Sequence, residues 1–282
     1  MGRGIARNLD RAGLLAAVWD LDSRATSACQ LSDVVAHGLQ KVAECDVILL
    51  VVPGSPQIDD LFDAGLLTGP AERVLVDLTT SDPKATRRLA ARAAALAGAA
   101  YLDAGMTGGA AGAAAGNLTL MVGGDEAAVE RARPVLDRIA TRIFHLGLSG
   151  TGHAMKLVHN MICHTIFLAT AEGCRAAERA GIPLARAVEV INAGNARSFV
   201  SERRFPDHVI PETFDGRSHV GNLAKDLAMA ADFFSELGQP AAYVTLTSEL
   251  LATARRFGLT SEDFTRLYPE YDRLAEAHQS NE

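Results

Sequence analysis

Gly150-Thr-Gly-His-Ala-Met-Lys-Leu-Val-His-Asn160 lies where the character of the sequence changes. Before this stretch, short apolar runs alternate with segments of helical periodicity, and after it only helical periodicity continues. Continuous apolar runs between helices are typical of parallel strands that are buried on both faces. The sequence therefore predicts an α/β fold, with a doubly wound parallel sheet in residues 1–147 and an all-helical domain in residues 148–282.

Five apolar runs are expected to be the strands of this sheet, namely Leu14–Trp19 and residues 46–52, 74–77, 99–103 and 118–122. Polar or glycine-rich segments follow most of them. In open parallel sheets, ligands bind beyond the carboxyl ends of the strands. We therefore expect a cofactor site formed by Asp20, residues 53–57, Thr79-Thr80 and residues 103–109.

Three polar side chains in the opening stretch share one face of a helix. His159 and Asn160 follow Lys156 at i+3 and i+4, a spacing that aligns side chains along a helix. The rest of this helix is largely apolar, so we expect Lys156 to be buried. Burial disfavours a charged ammonium group and allows a lysine to exchange protons near neutral pH. Lys156 is therefore the candidate acid–base residue, and the alternative is an ordinary surface lysine at a helix start.

Composition excludes several classes of function. The 282 residues carry a net charge of −7 and no long basic run, so nucleic acid is not an expected partner. No apolar run approaches the roughly 18 residues that a membrane span needs, and no signal peptide is recognisable, so we expect no membrane partner and a cytoplasmic location. The 4 cysteines and 8 histidines show no metal-ligand spacing, so no metal is expected.

The N-terminus departs from the pattern of a dinucleotide-binding domain. A Rossmann-like sheet normally opens with a strand and Gly-x-Gly-x-x-Gly, followed about 20 residues later by an acidic residue that binds the ribose. Here Asp20 is the acidic candidate, and Gly2 falls at the third glycine. The first strand and the first two glycines have no counterpart. We therefore expect roughly a dozen further residues upstream, and weak dinucleotide binding without them. The alternative is a protein that begins at Met1.

Three motifs resemble those of the β-hydroxyacid dehydrogenase family, which includes 3-hydroxyisobutyrate dehydrogenase. Asp103-Ala-Gly-Met-Thr-Gly-Gly-Ala-Ala-Gly-Ala-Ala-Ala-Gly-Asn-Leu118 is similar to the family's substrate signature. Residues 150–160 are similar to its lysine motif, and Lys225-Asp226-Leu227 is similar to a third element. The resemblance implies a general acid–base role for Lys156, with Asn160 beside it on the substrate. The alternative for residues 105–116 is a flexible low-complexity loop.

The resemblance also assigns binding residues. The substrate carboxylate is expected on Thr107 and on the backbone N–H groups of Gly108 and Gly109, since bare backbone donors can approach an anion closely. His159 and Asp226 are expected to complete the substrate site. The residues expected to touch the cofactor are Met1, Gly2, Asp20, Val52, Pro53, Gln57, Thr80 and Lys225.

Single residues refine the choice of cofactor and substrate. A carboxylate at Asp20 would bind ribose hydroxyls and repel a 2′-phosphate, which favours NAD over NADP. Arg24, four residues later, leaves NADP as the alternative cofactor.

The implied substrate is a small carboxylate-bearing 3-hydroxy acid. Ser218, His219 and Asn222 give its pocket a polar character, which suggests a polyhydroxylated acid. The direction of the reaction stays open. The family resemblance further implies a homodimer or homotetramer formed through the helical domain.

Three other functions compete with this one. His159 is also typical of 6-phosphogluconate dehydrogenase, but Cys163 stands where that enzyme has a glutamate. Imine reductases share the fold but usually lack a lysine at the position of Lys156. A non-catalytic dinucleotide-binding or scaffold protein would be consistent with the incomplete glycine fingerprint.

Overall fold

The computed structural model describes residues 1–27, 29, 31 and 38–280. The chain forms two compact units, Met1–Lys156 and Leu157–Glu282. The division between them falls inside one long helix. Among the described residues, no helix combines the length and the hydrophobicity that a bilayer span requires.

A five-stranded sheet forms the centre of the first unit, and its strands lie side by side in chain order. The predicted α/β class is confirmed, and most neighbouring strands run parallel. The third and fourth strands are antiparallel, which the sequence did not predict. They can be antiparallel because one short helix joins them, whereas a parallel pair needs a longer crossover. The strands are β1 (Val47–Leu50), β2 (Val74–Asp77), β3 (Ala100–Thr107), β4 (Leu118–Gly123) and β5 (Ala140–His145).

Alternate residues of the central strands pack on opposite faces of the sheet. In β2, Val74 and Val76 belong to one apolar cluster and Leu75 belongs to another. Both faces are therefore covered, which explains why this strand is apolar throughout. The helices of this unit are α1 (Gly2–Arg11), α2 (Ser23–Ser27), α3 (Leu39–Ala43), α4 (Ser55–Leu61) with a π-helical continuation at Phe62–Leu66, α5 (Pro83–Ala97), α6 (Gly109–Ala115) and α7 (Glu126–Leu136).

The segment Leu14–Trp19 is not a strand, so that prediction was wrong. Within the described part of the first unit, no strand pairs with it. Leu15 and Trp19 are instead partly buried against the two apolar clusters of the sheet. An extended apolar segment becomes a strand only where a neighbour supplies hydrogen bonds, and apolar spacing alone does not report such a neighbour.

The second unit is helical, as predicted. Among residues 157–280, strand pairing is limited to one bridge between His219 and Asp263. Its core includes Phe167, whose ring lies 5.8 Å from that of Phe205 and 5.1 Å from that of Phe264. The helices are α8 (Thr151–Arg179), which begins in the first unit, α9 (Leu184–Ala193), a π-helix at Val200–Val209, α10 (Val220–Glu236), α11 (Ala242–Arg256), short 3₁₀ turns at Leu259–Ser261 and Phe264–Arg266, and α12 (Leu267–Gln279).

Candidate active site

Lys156 lies in the second turn of α8 and is only 9% exposed, so the alternative of an ordinary surface lysine is wrong. A fully buried carboxylate on β3 holds the start of this helix. Asp103 accepts hydrogen bonds from the backbone N–H groups of Gly150, at 2.7 Å, and His153, at 2.9 Å. A carboxylate at a helix N-terminus satisfies unpaired N–H groups and stabilises the helix dipole. Asp103 therefore fixes the position from which Lys156 projects.

Two glycines allow α8 to lie directly against the sheet. A Cβ atom at Gly105 of β3 would lie 2.6 Å from Lys156 Cβ, and one at Gly152 would lie 2.6 Å from the carbonyl oxygen of Asp103. Real Cβ atoms do not approach other heavy atoms so closely. The glycines of the two motifs thus permit the close packing of Lys156 on β3.

Thr107 and the glycines after it occupy a strand-to-helix turn. Thr107 ends β3, and α6 begins at Gly109, so residues 105–116 are ordered structure and the flexible-loop alternative is wrong. Gly108 has a φ of 121° and Gly109 has a φ of 64°, values that favour glycine over any other residue. Both glycines are exposed, and no Cβ atom shields their N–H groups. This turn can present backbone donors to an anion.

In the second unit, Asn160 and Asp226 are hydrogen-bonded. The Asn160 amide donates through Nδ2 to Asp226 Oδ2 at 2.7 Å. Because a carboxylate only accepts, this contact fixes the orientation of the amide and directs Asn160 Oδ1 to the other side. His159 Nδ1 lies 3.3 Å from that oxygen, and Lys225 Nζ lies 3.5 Å from Asp226 Oδ1. Asp226 therefore orients Asn160, a role that the sequence did not suggest.

A cavity of about 670 Å³ lined by both polar and apolar residues lies on the second unit beside α10. Its lining includes His219, Asn222 and Lys225 from the start of α10 and Arg255 from the end of α11. Two of the residues that suggested a polar pocket, His219 and Asn222, thus share one cavity with Lys225. The third, Ser218, does not line it.

Four of the predicted cofactor residues of the first unit follow the carboxyl ends of two neighbouring parallel strands. Val52 and Pro53 follow β1, and Thr80 follows the parallel strand β2, so the two loops lie at neighbouring carboxyl ends. A contact between the hydroxyls of Ser55 and Ser81, which are both buried, joins the loops. Gln57 lies in α4, directly after the first loop.

Two further observations fit a dinucleotide. The helix α1 begins at Gly2 without a side-chain cap, and first-turn N–H groups are suited to phosphate. Thr79 is 4% exposed, and its hydroxyl has no hydrogen-bond partner among the described residues. A buried polar group without a partner at a strand end is typical of a ligand site. The residues present therefore fit a nicotinamide dinucleotide.

Asp20 is not joined to these loops by any hydrogen bond among the described residues. It is exposed, and its Oδ1 accepts from the backbone N–H of Asp22 at 2.9 Å. Arg24 makes an ion pair with Asp22 at 3.0 Å, and hydrogen bonds from Arg24 lower the pKa of the Asp22 carboxyl. Arg24, the residue that left NADP as an alternative cofactor, is thus paired with the carboxylate of Asp22.

The sequence alone did not indicate the roles of several residues of the first unit. The sequence predicted Asp103 as part of the cofactor site and as the start of a glycine-rich motif, whereas its carboxylate holds the helix of Lys156. Asp77, Thr86 and the imidazole of His153 form a buried hydrogen-bonded group that no spacing in the sequence indicates. Their signal is absent because each lies in a different element.

Known proteins resemble the chain over nearly its whole length. Residues 1–147 match the model of the NAD-binding domain of 6-phosphogluconate dehydrogenase, and residues 150–271 match the model described as NAD-binding of NADP-dependent 3-hydroxyisobutyrate dehydrogenase. L-threonate dehydrogenase of Escherichia coli K12 is 31% identical over 93% of this chain and 89% of its own length. 2-(Hydroxymethyl)glutarate dehydrogenase of Eubacterium barkeri is 29% identical over 97% and 92%. The structure of 3-hydroxyisobutyrate dehydrogenase from Mycobacterium tuberculosis with L-serine superposes with a TM-score of 0.87, at 26% identity over 96% of this chain and 95% of that one.

Proposed function

Because the chain belongs to the β-hydroxyacid dehydrogenase family, we propose that it interconverts a small 3-hydroxy acid and its oxo acid or semialdehyde with a nicotinamide dinucleotide. Residues 1–147 are the proposed dinucleotide-binding domain, and residues 148–282 are the proposed substrate and oligomerisation domain. The observation that carries the proposal is the buried lysine on α8, which a buried carboxylate holds against β3.

Lys156 is the proposed general acid–base residue. When bound, the nicotinamide accepts a hydride in one direction and returns it in the other. Lys156 Nζ takes the proton of the substrate hydroxyl during oxidation and donates a proton to the carbonyl oxygen during reduction. Asn160 is one turn further along α8 and is proposed to hydrogen-bond the same oxygen. Its fixed amide orientation, through Asp226, supports this assignment.

The substrate carboxylate is proposed to bind Thr107 and the N–H groups of Gly108 and Gly109, in the turn that follows β3. This turn lies two residues beyond Gly105, which packs against Lys156. A substrate anchored there would bring its 3-hydroxyl towards the lysine. His159 and Asp226 are proposed to border the rest of the substrate.

The cofactor is proposed to lie along the carboxyl ends of β1 and β2. Its pyrophosphate would accept from the N–H groups at the start of α1, and the loops after the strands would contact the remainder. The residues proposed to hold it are Met1, Gly2, Asp20, Val52, Pro53, Gln57, Thr80 and Lys225.

The activity is tested by supplying small hydroxy acids with NAD⁺ and following the formation of NADH by absorbance. 3-Hydroxyisobutyrate, L-serine, L-threonate and 2-(hydroxymethyl)glutarate cover the substrates or ligands named for the relatives. We expect L-threonate, which carries several hydroxyls, to give a higher kcat/KM than 3-hydroxyisobutyrate. The polar side chains of His219 and Asn222, which line the cavity beside α10, support this order. Turnover of none of the four acids, in either direction, would contradict the proposal.

NAD is the proposed cofactor, with at least about a tenfold advantage in kcat/KM over NADP, because the Asp20 carboxylate repels a 2′-phosphate. Asp20→Ser should reduce this advantage to about threefold or less. Asp22→Ser is the matched variant, because it releases Arg24 and should raise the use of NADP while Asp20 remains. Steady-state kinetics with both cofactors measures these ratios, and equal use of NAD and NADP by the wild type would refute the assignment.

A homodimer or homotetramer is the proposed assembly. Tyr243 and Leu246 of α11 are 72% and 45% exposed, an arrangement that favours burial by a second chain. Light scattering should therefore give at least twice the 29.8 kDa mass of one chain. Leu246→Glu should shift the population towards the monomer, whereas Leu96→Glu, an exposed position on α5, should not. A monomeric wild type at micromolar concentration would contradict the proposal.

A further inference from the structure

Four polar side chains are completely buried beneath the start of α8. Asp77, Thr86, Asp103 and His153 are each 0% exposed. A buried polar side chain is costly unless it is hydrogen-bonded, and a core of apolar residues would stabilise this fold without that cost. This group therefore needs an explanation beyond stability.

The imidazole of His153 bridges the two ends of one loop. Its Nε2 lies 3.3 Å from the backbone carbonyl oxygen of Asp77 at the end of β2, and its Nδ1 lies 2.7 Å from Thr86 Oγ1 in the first turn of α5. A carbonyl oxygen has no hydrogen to donate, so Nε2 carries the hydrogen. In the neutral ring, Nδ1 then accepts from the hydroxyl of Thr86, whose single hydrogen is shared with the carbonyl oxygen of Asp82 at 3.0 Å.

The bridged loop is the one that the cofactor is proposed to contact. Asp77 Oδ1 accepts from the backbone N–H of Thr79 at 3.0 Å, and Asp77 Oδ2 accepts from the hydroxyl of Tyr101 at 2.7 Å. Burial raises the pKa of the Tyr101 phenol, which keeps it a donor. Asp77 thus fixes the backbone immediately before Thr80. The Asp77 side chain therefore stabilises the loop through its hydrogen bond to the backbone of Thr79, and His153 contacts both ends of the loop from α8.

The backbone of His153 belongs to the helix that carries Lys156. Its N–H donates to Asp103 on β3, and Lys156 follows three residues later. His153 therefore connects α8 to three other elements. Its backbone N–H is hydrogen-bonded to β3, and its imidazole is hydrogen-bonded to β2 and to α5. Lys156 and the loop of Thr80 are connected through it.

We propose that His153 is a positioning residue. It fixes the position of Lys156 relative to the loop that contains Thr80, residues 78–82. It touches neither the substrate nor the cofactor. This inference rests on the proposed function, in which a hydride and a proton are transferred at one carbon and its oxygen. Both transfers need their groups placed to within roughly 0.5 Å, and a link through one rigid side chain provides that placement.

The test compares His153→Leu, which removes both hydrogen bonds, with His153→Gln, which can donate and accept. His153→Leu should lower kcat about 10²-fold and weaken NADH binding about tenfold, with a smaller change in the KM for the hydroxy acid. His153→Gln should recover most of the loss in both quantities. A purely structural role would lower Tm and the folded fraction but would leave kcat per folded enzyme unchanged. NADH affinity is measured by fluorescence titration and does not depend on turnover.

A second pair of variants decides the matter if His153→Leu does not fold. Thr86→Val removes the hydroxyl contacts to His153 and to the carbonyl oxygen of Asp82 with little change in volume and should lower kcat about tenfold. Thr86→Ser keeps the hydroxyl and should remain near wild type. Nitrogen NMR of the wild type should show the Nε2–H tautomer of His153, and the Nδ1–H tautomer would overturn the inference. So would kcat and NADH affinity within threefold of wild type in both His153→Leu and Thr86→Val.

The failure of this inference is distinguishable from that of the proposed function. A wild type that binds NADH but turns over no hydroxy acid refutes the activity, and the NADH affinities of the variants still decide the role of His153. An active wild type with unaffected His153 and Thr86 variants refutes the positioning role alone. A wild type that binds no NADH overturns both.

Discussion

Lys156→Ala should lower kcat by about 10²–10⁴-fold, the usual contribution of a general acid–base residue, while NADH binding stays within a few-fold of wild type. The reason is the position of Lys156, which is 9% exposed in the second turn of α8 and packs against Gly105. No other lysine of the first unit is buried to this degree within the described residues. The measurement combines steady-state kinetics with a fluorescence titration of NADH.

Two further variants separate the chemistry of Lys156 from its packing. Lys156→Met keeps the length of the side chain against β3 and should be as inactive as Lys156→Ala, because it also has no exchangeable proton. Lys156→Arg keeps the charge but cannot act as a base, since a guanidinium is not deprotonated in proteins. Activity above a tenth of wild type in Lys156→Met would show that another group transfers the proton.

Gly105→Ala should damage both stability and turnover. The new Cβ would lie 2.6 Å from Lys156 Cβ and 3.1 Å from the carbonyl oxygen of Gly152, so α8 must move away from β3. Overpacking of this kind costs about 1–3 kcal/mol of unfolding free energy. A displacement of the lysine by about 1 Å lowers kcat by about 10²-fold. Chemical denaturation and steady-state kinetics measure the two effects separately.

Gly173→Ala is the matched control on the same helix. A Cβ atom at Gly173 meets no heavy atom within 4 Å, and alanine is a better helix former than glycine. This variant should be more stable by about 0.5–1 kcal/mol, with unchanged turnover. If Gly105→Ala behaved like Gly173→Ala, the close packing of Lys156 on β3 would have no importance for catalysis.

Motif and spacing were sufficient for the general plan of the site. The alternation of apolar runs and helices predicted a parallel sheet followed by helices, because strands buried on both faces must be apolar throughout. The i, i+4 spacing of Lys156 and Asn160 placed both on one face of α8, because helix geometry is local. The buried state of Lys156 followed from the apolar residues around it. Such properties depend on near neighbours in the chain.

Tertiary structure alone decided which segments pair and which side chains meet. Leu14–Trp19 has the composition of a strand, but no strand lies beside it within the part of the chain that the structure describes, and β3 and β4 pair antiparallel. Asp103 meets the start of α8 across 47 residues of sequence, and His153 meets Thr86 across 67. Asp226 orients Asn160 from a helix 66 residues away. By itself, the sequence determined the fold class, the buried state of Lys156 and the family, because these depend on local periodicity and contiguous motifs. The residues that hold Lys156 in place, and the contact between His153 and the loop after β2, depend on contacts between distant elements, which only packing creates.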